Sequence, residues 1–124
     1  MITVPTVMTN QLLQDYLCGL GMAVTTLHDN TGAPYIVMQD VVVPSGSLAG
    51  RVCDVALARC QSVPYLCPPA VHTRPALVPM DMEGPLKTQA SPLGADWQYW
   101  SRRFDHAPAP HRVWAHVLTV LTEV

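Results

Sequence analysis

The sequence predicts a single α+β domain over residues 1–124, an antiparallel sheet flanked in sequence by two helices. Three observations carry this. An amphipathic stretch opens the chain, four strand-like runs joined by short turns follow, and a second amphipathic stretch closes it. The length favours one domain. With 49% apolar residues, the chain can bury a core without disulfide or metal staples.

Thr9 is placed to cap a helix over "NQLLQDYLCGL", in which Leu12, Leu13, Tyr16, Leu17 and Leu20 recur at helical spacing. Gly19 and Gly21 end it. "MAVTTL" and "PYIVMQDVVV" read as strands joined by "HDNTGA", a turn rich in Asp, Asn and Gly. After the loop "PSGSLAG", the run "RVCDVALARC" alternates, with Val52, Asp54, Ala56 and Ala58 on one side and Cys53, Val55, Leu57 and Arg59 on the other. "PYLCPPAVHTRP" predicts a proline-bounded turn and a short fourth strand around Ala70 to Thr73. From Pro75 to Pro108 no period persists, and the expectation is a long irregular flap. "HRVWAHVLTVLTEV" is helical, with Val113, Trp114, Val117, Leu118 and Leu121 on one stripe and Pro110 in its first turn.

Charge and composition exclude several classes. A net charge of −2 without a basic tract argues against duplex nucleic acid as a partner. No apolar run reaches the ~20 residues of a membrane span, and "MITVPTVMTN" lacks the pattern of a signal peptide. The expectation is a cytoplasmic protein with no membrane partner. The cysteines are Cys18, Cys53, Cys60 and Cys67, and the last three are spaced by seven residues. Structural zinc sites begin with two ligands two to four residues apart, so no metal and no cofactor is expected.

The flap ends in "ADWQYWSRRF", where aromatic side chains and two arginines surround one serine hydroxyl, that of Ser101. This run, with the element order around it, resembles the ubiquitin-conjugating-enzyme (UBC-like) fold. "PYLCPPAVHT" is similar to the tyrosine and double-proline segment before the fourth strand of that superfamily, with Leu66 where a proline usually follows the tyrosine. More specifically, the chain, from about residue 8 to 123, resembles the prokaryotic conjugating-enzyme-like proteins, which occur with ubiquitin-like proteins and activating enzymes. Their hallmark is a run of tryptophan, glutamine, aromatic or arginine, tryptophan, serine, arginine, histidine. "WQYWSRR" matches it at Trp97, Gln98, Trp100, Ser101 and Arg102 and departs at Arg103. Eukaryotic members carry a His-Pro-Asn tripeptide in the flap and a cysteine soon after. The flap from Arg74 to Phe104 has no cysteine, asparagine or histidine, and Cys67 lies upstream of the fourth strand. Measured back from the last helix, Ser101 stands where the superfamily keeps its cysteine.

The resemblance implies an enzyme that accepts the C-terminal acyl group of a ubiquitin-like protein from an activating enzyme and passes it to a protein substrate. A serine hydroxyl does this only if a base removes its proton and donors stabilise the oxyanion. Ser101 is therefore the candidate acceptor of an oxyester, Arg102 the oxyanion stabiliser with Gln98 as a further amide donor, and His106 or His72 the base. The first helix, through Asn10, Gln11, Gln14 and Asp15, is the expected contact for the activating enzyme. A second reading keeps the fold without the chemistry: a catalytically silent module that binds a ubiquitin-like protein or activating enzyme. On plain packing grounds Ser101 satisfies a loop backbone group, the tryptophans are core, and the arginines are a solvated rim paired with Asp96 and Asp105. A stand-alone hydrolase is disfavoured, because no Gly-x-Ser-x-Gly turn surrounds Ser101.

Overall fold

A computed structural model of the chain describes residues 9–59, 70–78, 88–102 and 109–123. Its first element, α1 (Asn10–Gly19), starts where Thr9 Oγ1 accepts the Leu12 amide at 3.1 Å. Leu13 and Leu17 are buried, whereas Leu20 lies beyond the last turn and is 49% exposed. Strands β1 (Val24–His28), β2 (Pro34–Val42) and β3 (Val52–Ala58) form the expected meander, and β4 (Ala70–Arg74) extends it. The last helix, α2 (Pro110–Thr122), buries Val113, Val117, Val120 and Leu121.

The sheet departs from expectation beyond β4. Among the described residues it has six strands rather than four, because the segment expected as an irregular flap contains a hairpin, β5 (Thr88–Ser91) and β6 (Gly94–Ser101). The spatial order is β1-β2-β3-β4-β6-β5, every pairing antiparallel. β6 is thus an interior strand, between β4 and β5. The class is α+β as predicted; the four-stranded meander with a long flap is corrected to a six-stranded sheet. β6 escaped a period-2 reading because it is covered on both sides. Trp97, Gln98 and Trp100 are all buried, so apolar and polar residues do not alternate. β5 reads "TQAS", small and polar, and carries no strand signal of its own.

Each face of the sheet has its own cluster. Both helices lie on one face, where Leu13, Leu17, Val113, Val117 and Leu121 pack with Ile36, Met38, Cys53, Val55, Leu57, Val71 and Trp100. The alternation expected for β3 holds: Cys53, Val55 and Leu57 enter this core, while Ala56 and Ala58 turn to the other face. There a smaller cluster joins Tyr35, Val37, Ala56 and Trp97, with Leu27 and Leu93 against it. Trp100 is fully buried, and its one polar atom is satisfied, since Nε1 donates to Thr73 Oγ1 at 3.0 Å.

Two polar devices fix the register. β2 bulges between Met38 and Val41, where Asp40 adopts φ 55°. The Asp40 amide donates to Asp54 Oδ1 at 3.0 Å, and Asp54 Oδ2 accepts from Arg74 Nη2 at 2.7 Å and Nε at 3.0 Å. One carboxylate on β3 therefore ties the bulge of β2 to the end of β4. The Arg74 guanidinium also lies 4.7 Å from the Trp97 ring centre. The second device closes the sheet across its width. The Asn30 amide, at the β1–β2 tip, donates to the Pro92 carbonyl, at the β5–β6 tip, at 3.2 Å. Those hairpins lie at opposite ends of the strands and four strand spacings of ~4.8 Å apart across the sheet, so a flat sheet would hold them well over ~19 Å apart. The sheet therefore curls toward the face opposite the helices.

The C-terminal end of α2 rests on the loop between β2 and β3. Gly46 has φ 83°, and a Cβ there would collide with the Thr122 backbone carbonyl. Gly50, in the same loop, has φ 84° but open space around it. Gly46→Ala should destabilise the domain by clearly more than the ~1 kcal/mol expected of Gly50→Ala from backbone conformation alone. Urea denaturation of the two variants checks this; equal losses would remove the loop–helix contact from the account.

Candidate functional site

Register places the candidate residues. Ala70 pairs with Ser101, Val71 with Trp100, His72 with Tyr99 and Thr73 with Gln98. Side chains alternate along a strand, so Trp97, Tyr99 and Ser101 share the face opposite the helices with His72, while Gln98 and Trp100 face the helices. Ser101 ends β6 and is exposed.

Arg102 follows directly, half-buried. Its Nη1 donates to the Ser101 backbone carbonyl at 2.8 Å, and its guanidinium lies 5.8 Å from the Trp100 ring centre. Burial lowers its pKa, opposed by the charge of Glu123 at the end of α2. Arg102 thus leans toward the helix layer and touches Ser101 through the main chain. No contact joins the guanidinium to the Ser101 hydroxyl among the described residues, so the oxyanion role expected for Arg102 needs a different side-chain orientation.

His72 is not turned toward Ser101. It is 3% exposed, and its Nδ1 lies 2.8 Å from Ser91 Oγ. Its ring sits edge-on to Tyr35 and Tyr99, with centres 5.2 Å and 5.1 Å away. Burial pushes its pKa down from 6.5 to about 4, partly opposed by the charge of Asp29. At neutral pH this is an uncharged imidazole of low basicity, spent on a different serine. His106 and Arg103 lie outside the described residues, as do Cys60, Cys67 and Asp105.

Gln98, expected near Ser101 as an amide donor, is fully buried on the opposite face. Its Oε1 accepts the amides of Leu77 at 2.9 Å and Val78 at 3.4 Å, and its Nε2 donates to the Val78 carbonyl at 2.6 Å. It holds the chain beyond β4 against the sheet. Cys53 is a buried thiol whose pKa burial pushes up to about 11, which leaves it inert; Cys18 is exposed near the end of α1. Among the described residues, no three His, Cys, Asp or Glu side chains are grouped to hold a metal ion, and no helix is long and apolar enough to cross a membrane.

Sequence reasoning missed the polar cluster around His72. Asp29 Oδ1 accepts the Thr31 amide at 2.8 Å, the Thr31 hydroxyl at 2.6 Å and the Ala33 amide at 3.0 Å, while Oδ2 accepts the Tyr35 hydroxyl at 3.0 Å. The Thr31 hydroxyl is the first cause that lowers its pKa to about 2. Burial, then the bond to Asp29, raises Tyr35 to about 12. "DNTGAPY" does signal an Asp-anchored turn, but nothing in the sequence pairs His72 with Ser91.

No family model matches the chain, and neither does any curated protein or solved structure with which it was compared.

Gln98→Ala should cost about 2–3 kcal/mol, because the buried Leu77 amide and the half-buried backbone groups of Val78 lose their partner. A denaturation midpoint equal to wild type would contradict the bonding described.

Proposed function

We propose that this chain is a ubiquitin-conjugating-enzyme-like domain of a bacterial ubiquitin-like conjugation pathway, carrying the C-terminal acyl group of a ubiquitin-like protein as an oxyester on Ser101. The observation that supports it is the exposure of Ser101 at the end of β6, in the stretch that leads into the last helix. An incoming chain terminus can reach that hydroxyl, and the Arg102 cation is its sequence neighbour. In the proposed reaction Ser101 Oγ attacks the thioester carbonyl presented by the activating enzyme. The C–S bond breaks, the thiolate leaves, and the hydroxyl proton passes to a base. His106 is the proposed base, since His72 is committed elsewhere. The acyl group then moves to an amine or hydroxyl of a protein substrate. The exposed side of α1, where Gln11 Nε2 donates to Asp15 Oδ1 at 2.7 Å, is the proposed contact for the activating enzyme.

One observation favours a second reading, a binding module without transfer. The best-placed imidazole on the Ser101 face is buried, bonded to Ser91 and weakly basic. Such a module would dock a ubiquitin-like protein or activating enzyme through the same end of β6.

A charging reaction with a cognate activating enzyme, ATP and a ubiquitin-like protein separates the readings. Transfer predicts an adduct that survives thiol reductant and is cleaved by strong base, reduced at least ~100-fold in Ser101→Ala. Full charging of Ser101→Ala would overturn the assignment. Stable binding without any adduct would establish the second reading.

A further inference from the structure

We propose that His72 and Ser91 form an acid-sensitive clasp that holds the two hairpin tips together and lets them go when the imidazole takes up a proton. The inference concerns the face opposite the helices and does not depend on acyl transfer.

The geometry carries it. His72 is in the middle of β4, an interior strand, and only 3% of it is exposed. Ser91 reaches it from β5, the edge strand, and is itself 9% exposed. The Ser91 oxygen also accepts the Leu93 amide at 3.1 Å. One hydroxyl thus joins the imidazole to the β5–β6 turn. That turn is bound in its next residue to the opposite edge of the sheet, since Pro92 O accepts the Asn30 amide. The chain of contacts His72, Ser91, Pro92, Asn30 is continuous, and Asn30 adjoins Asp29, which anchors its own turn and the Tyr35 hydroxyl.

The groups that face the ring come from every strand around it. Tyr35 on β2 and Tyr99 on β6 offer ring edges and faces, and the cross-strand neighbour on β3 is Ala56, which carries no charge. Along the same strand Arg74 is neutralised by Asp54. Among the described residues, Asp29 is the carboxylate whose charge favours the protonated ring, and it does not outweigh burial. An imidazolium in this position has exchanged water for two phenol rings and a hydroxyl, an unfavourable trade. Lifting the β5–β6 tip admits water to the ring at the expense of a few turn contacts, less than unfolding the sheet demands.

The sign follows from linkage. The folded-state pKa, about 4, is below the ordinary 6.5, so the clasped form binds fewer protons than the released form between those values. The clasp is therefore fully favoured above pH 6.5 and weakens as the pH falls toward 4. Over the whole window the released-to-clasped ratio rises by up to roughly 300-fold, the tenfold-per-unit consequence of that difference.

The test is a nuclear magnetic resonance titration of the full chain from pH 7.5 to 4. It follows the His72 ring carbons, the Asn30 and Leu93 amides and the Trp97 and Trp100 indoles. The expected result is that the Asn30 and Leu93 amides shift toward solvent-exposed values with the midpoint of the His72 ring, below pH 6.5. The Trp100 indole, bonded to Thr73 on the helix side, should not move with them. In His72→Gln that transition should vanish. The proposal is overturned if His72 titrates while both amides stay fixed, if the transition persists in His72→Gln, or if Trp100 melts together with the tips. The wild-type titration decides the matter even if the variant does not fold.

Discussion

The pairing of β4 with β6 is the constraint on which the rest of the structure depends. It sets "WQYWS" inside the sheet, between two neighbours, and fixes which side chains face which way. Because the period is two, this one register places Trp100 over Thr73 in the helix-side core and Gln98 where it binds residues 77 and 78. The same register stacks Tyr99 on His72 and leaves Ser101 at the strand end. A slip by one residue would exchange all of these at once, burying the Ser101 side and expelling Trp100 from the core. Candidate chemistry and core packing are thus two consequences of one alignment.

The two faces of the sheet play different roles. Helix packing on one face contributes the large apolar core, with the Trp100 indole as its bulkiest fully buried member. The other face is smaller, aromatic and polar: a buried imidazole between two tyrosines, a serine, and an aspartate turn that closes against the far hairpin. Such a network is stable only when each polar group finds a partner, since an unpaired one in a low-dielectric setting costs more than the bond returns. This explains why His72 is drawn to Ser91 rather than Ser101. Ser91 can accept the Leu93 amide and still bond the ring, whereas Ser101 ends its strand in solvent.

Much of this was legible in the sequence. The Thr9 cap, the Leu13–Leu17 stripe, the turn "HDNTGA" and the alternation of "RVCDVALARC" each report a local rule, and local rules survive without knowledge of neighbours. The β5–β6 hairpin was not legible. Its strands are covered on both faces or made of small residues, and its turn, "SPLG", lies among prolines that suggested an irregular loop. At the site, Ser101 and Arg102 were singled out only by a likeness read into "WQYWSRR"; the exposure of Ser101 at the end of β6 follows from the register with β4. The partners of His72 and Gln98 were hidden because they lie 19 and about 20 residues away, across a fold that no single segment encodes.

The most direct test of the account is the strand register itself, read from cross-strand nuclear Overhauser contacts in the labelled chain. The account predicts backbone contacts that link Val71 to Trp100 and Thr73 to Gln98, with the Trp100 indole proton near the Thr73 methyl. Contacts shifted by one residue, Val71 to Tyr99 and Thr73 to Trp97, would turn Ser101 toward the helices and contradict both the packing and the proposed site.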